Sequence, residues 1–263
     1  MITRILSILF FLVALSLGYY LFHIVKSDLD QQKRIDRVEK QVIEKLKLIR
    51  DTEMAFQKIY GRYTANWDSL ISFLDSGTIY ITNRREEIIP KAYGDEEVIV
   101  HIDTVGTVPA KQYVYTANNL VTASDSGTLV SLSVKVGDEI SIGYQVYAMQ
   151  TSDKLLKYKS QYTGTVTHVN YQVGDKINKG ATIVELQNNK YPNITDISRL
   201  PIIPGSGKKF SIYANKLLRS GVPIDVFEVK DSDPINPARK LNHNENALRV
   251  GSKDEVTTSG NWE

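Results

Sequence analysis

One stretch of this chain is written twice. Gly127, Val136, Gly137, Asp138, Ile140 and Gly143 recur 37 residues later, without a gap, as Gly164, Val173, Gly174, Asp175, Ile177 and Gly180. Two equal units, each with an apolar face it cannot bury alone, must close on one another, so the duplication constrains the fold more than any single residue does. Apolar residues alternate in both copies, Leu129, Leu132, Val134 and Val136 in the first and Val166, Val169, Tyr171 and Val173 in the second, which predicts half-buried strands. Val-Gly-Asp then breaks each strand: glycine takes the positive φ of a tight turn, and aspartate bonds backbone just beyond itself. The expectation is a two-fold β-sandwich over residues 121–188.

The repeated spacing Gly-x9-Gly-Asp-x4-Gly resembles that of the biotinyl/lipoyl attachment domain, the barrel-sandwich hybrid also used by membrane fusion (adaptor) proteins. Carrier members of that family place a modified lysine at the tip of the hairpin joining the two halves. Aligned through Gly137, Gly143 and Gly164, that position falls on Asp153, and Lys154 stands one residue late. A shift of one residue turns a side chain toward the opposite face. Lys154, the one cofactor-binding candidate, is thus off register, and the expectation is a structural, non-acylated hybrid with no cofactor. Adaptors of this family split the halves with a long helical hairpin, whereas only the 12 residues Thr151 to Tyr162 intervene here.

Before the repeat the chain changes character twice. Ile5 to Val25 is a run of 21 uncharged residues, about the length that crosses a hydrocarbon core as a helix, and Arg4 precedes it. Ser16-Leu-Gly18 offers small residues for a cleaved signal peptide, but the apolar run continues past them, so an anchor over residues 1–26 is expected. Lys26, Lys33, Arg34, Arg37 and Lys40 alone would keep the following body in the cytoplasm; interspersed Asp28, Asp30, Asp36 and Glu39 and the short amino-terminal tail favour export. Ile35, Val42, Ile49, Phe56 and Tyr63 then fall seven apart, the stripe of an amphipathic helix. Lys45 interrupts the seam, so the second half of this stalk is expected to pack on its own domain rather than in a coiled coil. Gly61 ends the helix, and Thr64 or Asn66 caps a short second helix that Gly77 stops, closing a segment 27–77. Anchor, amphipathic helix and Tyr60-Gly-Arg-Tyr63 are similar in layout to pseudopilins, although residues 1–10 carry no peptidase site and no glutamate.

Strand patterns at Val98 to Thr116, Phe210 to Tyr213 and Val222 to Val229 flank the repeat. They predict a β segment over 78–120 of a host domain, with 121–188 either an insertion into that domain or a bead beside it, and a carboxy-terminal β domain and tail over 189–263. Asn261, Trp262 and Glu263 read equally as a docked terminus or a loose tag.

The rest of the composition narrows function by exclusion. A formal charge of +2 and no basic block interleaved with aromatics argue against nucleic-acid binding, and the absence of cysteine excludes disulfides, thiolate nucleophiles and Fe–S clusters. His23, His101, His168 and His243 are scattered without ligand spacing, and His168, matching Ser131 of the first copy, is expected to be exposed. Gly205-Ser-Gly-Lys-Lys209 lacks the phosphate-loop spacing and reads as a turn, and Asp231 and Asp233 before Pro234 read as a solvated turn. No catalytic or metal-binding residue is expected. The fold class is α+β, mostly β: an amino-terminal transmembrane helix, a helical stalk and a β ectodomain. The function these readings imply is a non-catalytic, single-pass scaffold or adaptor subunit of a cell-envelope assembly, periplasmic or extracytoplasmic in its body. Its partners would be the membrane and other envelope proteins in a homo- or hetero-oligomer. An acyl or biotinyl carrier using Lys154 and a pilin-like filament subunit are the alternatives.

Overall fold

The computed structural model of the chain describes the backbone of residues 2–90, 96–152, 154–241 and 246–263, and the side chains of these except 2–14, 82–90, 96–102 and 105. In chain order the elements are α1 (Ile2–Tyr60), α2 (Trp67–Ser76), β1 (Thr78–Pro90), β2 (Glu96–Pro109), α3 (Ala110–Tyr115), β3 (Thr116–Thr122), β4 (Gly127–Leu132), β5 (Glu139–Ile140), β6 (Gln145–Gln150), β7 (Leu155–Lys159), β8 (Gly164–Val169), β9 (Lys176–Ile177), β10 (Thr182–Asn189), β11 (Ser211–Arg219), β12 (Val222–Lys230) and β13 (Arg249–Gly251). The fold is mostly β, with one long amino-terminal helix. Two compact units divide it, residues 1–73 with 196–263, and residues 74–195. The stretch 78–120 lies in the same unit as the duplication.

In the first unit the amphipathic period of α1 is spent within the chain. Ile35, Val42, Leu46, Ile49 and Phe56 are buried, and α1 packs beside the antiparallel sheet β11-β12-β13. Phe56 stands edge-on to Phe73 of α2, with ring centroids 5.3 Å apart, and Tyr63 packs against Phe227 of β12 at 4.7 Å. Asn66 is the cap of α2: its side-chain oxygen accepts from the Asp68 and Ser69 amides at 2.8 and 3.2 Å. Among the described residues no helix is long and apolar enough to cross a membrane. The expected anchor, Ile5 to Val25, rests in part on residues 5–14, whose side chains lie outside the described residues.

Lys45 does more than interrupt the stripe. Its ammonium donates to the carbonyl oxygens of Arg199 and Ile202 at 2.6 and 2.7 Å, closing the end of a 3₁₀ turn (Ile197–Arg199) against α1. Burial lowers the Lys45 pKa, and the neighbouring Arg199 adds to this. Nearby, burial works against the charge of Glu39, but hydrogen bonds from Arg239 at 2.6 Å and Asn236 at 2.8 Å hold its carboxyl below the usual range. Replacing Lys45 by methionine keeps the stem and strands two carbonyls. Lys45→Met is expected to cost about 2 kcal/mol in denaturant unfolding.

The tail is docked. Gly251 N–H donates to Ser259 O at 3.0 Å, the Asn261 side chain holds the Ala247 carbonyl at 2.8 Å, and Glu263 accepts from Arg50 of α1 at 2.7 Å.

In the second unit the duplication becomes geometry. One sheet runs β7-β6-β4-β9 and the other β3-β10-β8-β5. Each strand of the first copy has its counterpart 37 residues later, so β4, β5 and β6 correspond to β8, β9 and β10. The short strand after each turn leaves its own copy: β5 pairs with β8, and β9 with β4. This exchange makes the two halves one sandwich. Its core is filled by equivalent pairs, Leu129 with Val166, Ile140 with Ile177, Val146 with Ile183 and Met149 with Leu186, all buried.

Three expectations are corrected. Strands β4 and β8 end at Leu132 and Val169, and Val136 and Val173 are each 61% exposed instead of half-buried. The Gly-Asp turn takes up those residues, with Gly137 N–H donating to Val166 O at 2.8 Å and Gly174 N–H to Leu129 O at 2.8 Å. Second, the turn aspartates bond backward: Asp138 accepts from the Lys135 amide at 2.9 Å and Asp175 from the Gln172 amide at 2.7 Å. Third, Tyr113 and Tyr115 are helical, not strand. Pro109 closes β2, and Ala110 and Val114, one turn apart, are both buried in α3.

Candidate functional site

The position on which the family resemblance turns is the β6–β7 hairpin. Gln150 pairs with Leu155, leaving residues 151–154 as the tip. The Thr151 amide and hydroxyl donate to Lys154 O at 3.0 and 2.9 Å, so Lys154 closes the turn. Its side chain is exposed. Asp153, the aligned carrier position, lies outside the described residues.

The other sequence candidates resolve simply. His168 is exposed, its side chain 71% accessible and 3.6 Å from Glu185. His23 is exposed on α1, while the side chains of His101 and His243 lie outside the described residues. Gly205 and Gly207 take φ of 83° and 74° in a tight turn closed by Ile203 N–H donating to Lys208 O at 2.7 Å. Asp231, expected in a solvated turn, is only 3% exposed: its amide donates to Leu248 O at 2.8 Å, and its carboxylate accepts from the Asp233 amide at 2.9 Å. Among the described residues no group of three or more His, Asp or Glu side chains could hold a metal ion.

Two features escaped the sequence reading. Glu53 sits on the buried face of α1 with no solvent exposure. One carboxyl oxygen accepts from the Thr64 amide at 3.0 Å, and the other has no hydrogen-bond partner. Burial pushes this carboxyl up to about 8, so at neutral pH it is a neutral acid. Glu53 and Asp225 in turn add to the burial that raises the Tyr63 phenol. A glutamate among the alternating charges of an amphipathic helix gives no sign of burial in sequence; only the i, i+4 relation to Ile49 hinted at the inner face.

The second feature is a polar cleft of about 100 Å³, walled by the end of β3 and by β7 with the residues after it. Tyr147 and Tyr158 stack beneath it with ring centroids 4.5 Å apart and planes 15° apart. The Tyr158 hydroxyl donates to Asp125 at 2.7 Å; burial, then this carboxylate, push the phenol up to about 12. The Tyr147 hydroxyl donates to the Thr122 carbonyl at 3.3 Å.

Two four-stranded sheets that exchange their short strands across a pseudo-two-fold define a two-layer β-sandwich. No protein-family model matches the chain, and no curated protein matches it. Among solved structures, a urea carboxylase of Kluyveromyces lactis is similar over 27% of this chain and 6% of its own, at 17% identity and a TM-score of 0.26. A single-chain, multi-domain long-chain acyl-CoA carboxylase is similar over 32% of this chain and 8% of its own, at 13% identity and a TM-score of 0.27. The chain thus spans less than a tenth of either protein.

Proposed function

We propose that this chain is a non-catalytic scaffold or adaptor subunit of a cell-envelope assembly, held at a membrane by the start of α1 with its body outside the cytoplasm. The supporting observation is the change of character along one continuous helix. Leu15, Leu17, Tyr19, Tyr20, Leu21, Phe22 and Val25 are 56–73% exposed around its whole circumference, whereas from Ile35 onward a single stripe is buried. Apolar surface exposed on all sides in water is costly, at about 25 cal/mol per Å², and a lipid interior removes that cost. The run continues upstream in the sequence to Ile5.

The test is fractionation of cells making the full chain or a version lacking residues 1–26. The full chain is expected in membranes, resistant to high salt and alkaline washing, and the shortened one in the soluble fraction; a full chain that washes off ends the proposal. Crosslinking in intact cells is expected to join the anchored chain to other envelope proteins. The carrier alternative is favoured by one observation, the exposure of Lys154 at the hairpin tip. Intact-mass measurement decides it: the scaffold reading expects unmodified Lys154, and a lipoyl or biotinyl adduct there replaces that reading with a carrier.

A further inference from the structure

In the second unit the 37-residue offset relates the two sheets as well as the two copies, so their outward faces are built on one scaffold. Alternation settles which residues each face carries. In β7-β6-β4-β9, Tyr158, Tyr147, Met149, Leu129 and Ile177 belong to the core, which leaves Lys157, Lys159, Gln150, Thr128, Ser131 and Lys176 on the outside. In β3-β10-β8-β5, Val121, Val184, Leu186, Val166 and Ile140 belong to the core, and Leu120, Glu185, Gln187, His168 and Glu139 lie outside.

The two faces differ chiefly in charge. Lys176 of one stands where the other has Glu139, Lys157 where it has Leu120, Lys159 where it has Thr122, and Ala148 where it has Glu185. Lys157, Lys159 and Lys176 are exposed, and none of the described residues that their sheet turns outward is acidic. On the opposite face Glu139 is exposed, and the Glu185 side chain is 40% exposed and 3.6 Å from His168. A face that has only to stay wet gains from interspersing the two signs, which limits its self-repulsion. Sorting them by sign onto matching scaffolds instead makes each face complementary to the other. Exposed apolar residues stand among the charges, Val130 and Leu155 on the basic face and Leu120 on the acidic one. Apolar side chains rimmed by charge are the make-up of a protein contact.

We infer that the basic face of one sandwich docks on the acidic face of a second copy of this chain. The faces are opposite sides of one body and cannot meet within it, so the contact is heterologous: each copy offers its lysines to one neighbour and its glutamates to the next. The docking does not depend on the anchor proposed above; a membrane would only raise the local concentration. The test is zero-length carbodiimide coupling, which joins an amine to a carboxylate only where the two touch, on the full chain in detergent micelles. Ordinary and isotope-labelled chains are mixed, so that peptide mass spectrometry separates links between chains from links within one. Links between chains from Lys157, Lys159 or Lys176 to Glu139 or Glu185 are expected. The double variant Lys157→Glu with Lys159→Glu is expected to lower their yield about tenfold, the loss of two exposed ion pairs, and Glu139→Lys with Glu185→Lys to do the same. Mixing these two variants is expected to restore the links, which misfolded chains could not do. Absence of links between native chains, links indifferent to both charge reversals, or no recovery on mixing overturns the docking.

Discussion

Glu53→Gln is expected to stabilise the first unit by about 4 kcal/mol at pH 9 and to change little near pH 4.5. In the unfolded chain a glutamate ionises near 4.5, whereas in the fold Glu53 holds its proton up to about 8. Between those values the native state binds more protons than the unfolded state, so native stability is full below about pH 4.5. It falls as pH rises toward about 8, and levels off once both states are ionised. Glutamine keeps an oxygen for the Thr64 amide and has no proton to lose, so the variant's stability stays flat across this window. Both tryptophans, Trp67 and Trp262, lie in the first unit. Denaturant unfolding followed by tryptophan fluorescence at pH 5, 7 and 9 therefore reads this unit. A native chain as stable at pH 9 as at pH 5 refutes the assignment.

Gly164→Ala is expected to open the sandwich, at a cost of about 3 kcal/mol. A Cβ at residue 164 would stand 2.7 Å from the carbonyl oxygen of Gln187 on the neighbouring strand. Its equivalent at 127 would meet the Gln150 carbonyl together with the Met149 side chain at 2.9 Å. Backbone oxygens cannot rotate aside, so β8 must separate from β10, or β4 from β6. Gly106→Ala in β2 is the control, since nothing lies within 4 Å of the added atom. Near-UV circular dichroism during heating reports the ring of buried Tyr147 and follows this unit; equal melting of Gly164→Ala and Gly106→Ala would contradict the close approach.

The first glycine of each copy shows how sequence and structure divide the work. Its recurrence at 127 and 164 signals a fixed backbone need, but the nature of that need is a neighbouring carbonyl, which belongs to another strand. Gly137 and Gly174 are different: their φ of 93° and 103° belong to a local turn, which the residues themselves foretell. The strands of the duplication were legible because alternation is local, and so were the stripe on α1 and the stop at Gly61. Pro109 and the burial of Ala110 and Val114 overrode the alternation at Tyr113 and Tyr115, since tertiary burial at helical spacing outweighs a weak strand pattern.

The candidate sites were the least legible. Lys154 was found from its place between two glycines, and the structure returns it as the exposed last residue of the hairpin tip. Glu53 and the tyrosine cleft carry no motif. The cleft exists only because residues 120–124 and 158–162 face one another across an axis that the chain reaches after closing.

Two copies of one strand–turn–strand unit, the long helix before them and the course of its stripe follow from residue order alone, because period and turn chemistry act over a few residues. The exchange of short strands between sheets, the staple from Lys45 to a distant turn, the burial of Glu53 as a neutral acid and the polar cleft between the end of β3 and β7 arise once the chain has closed. Each of those depends on desolvation and pairing between residues far apart in the chain, and the free energy of such contacts is set only when both partners arrive at the same place.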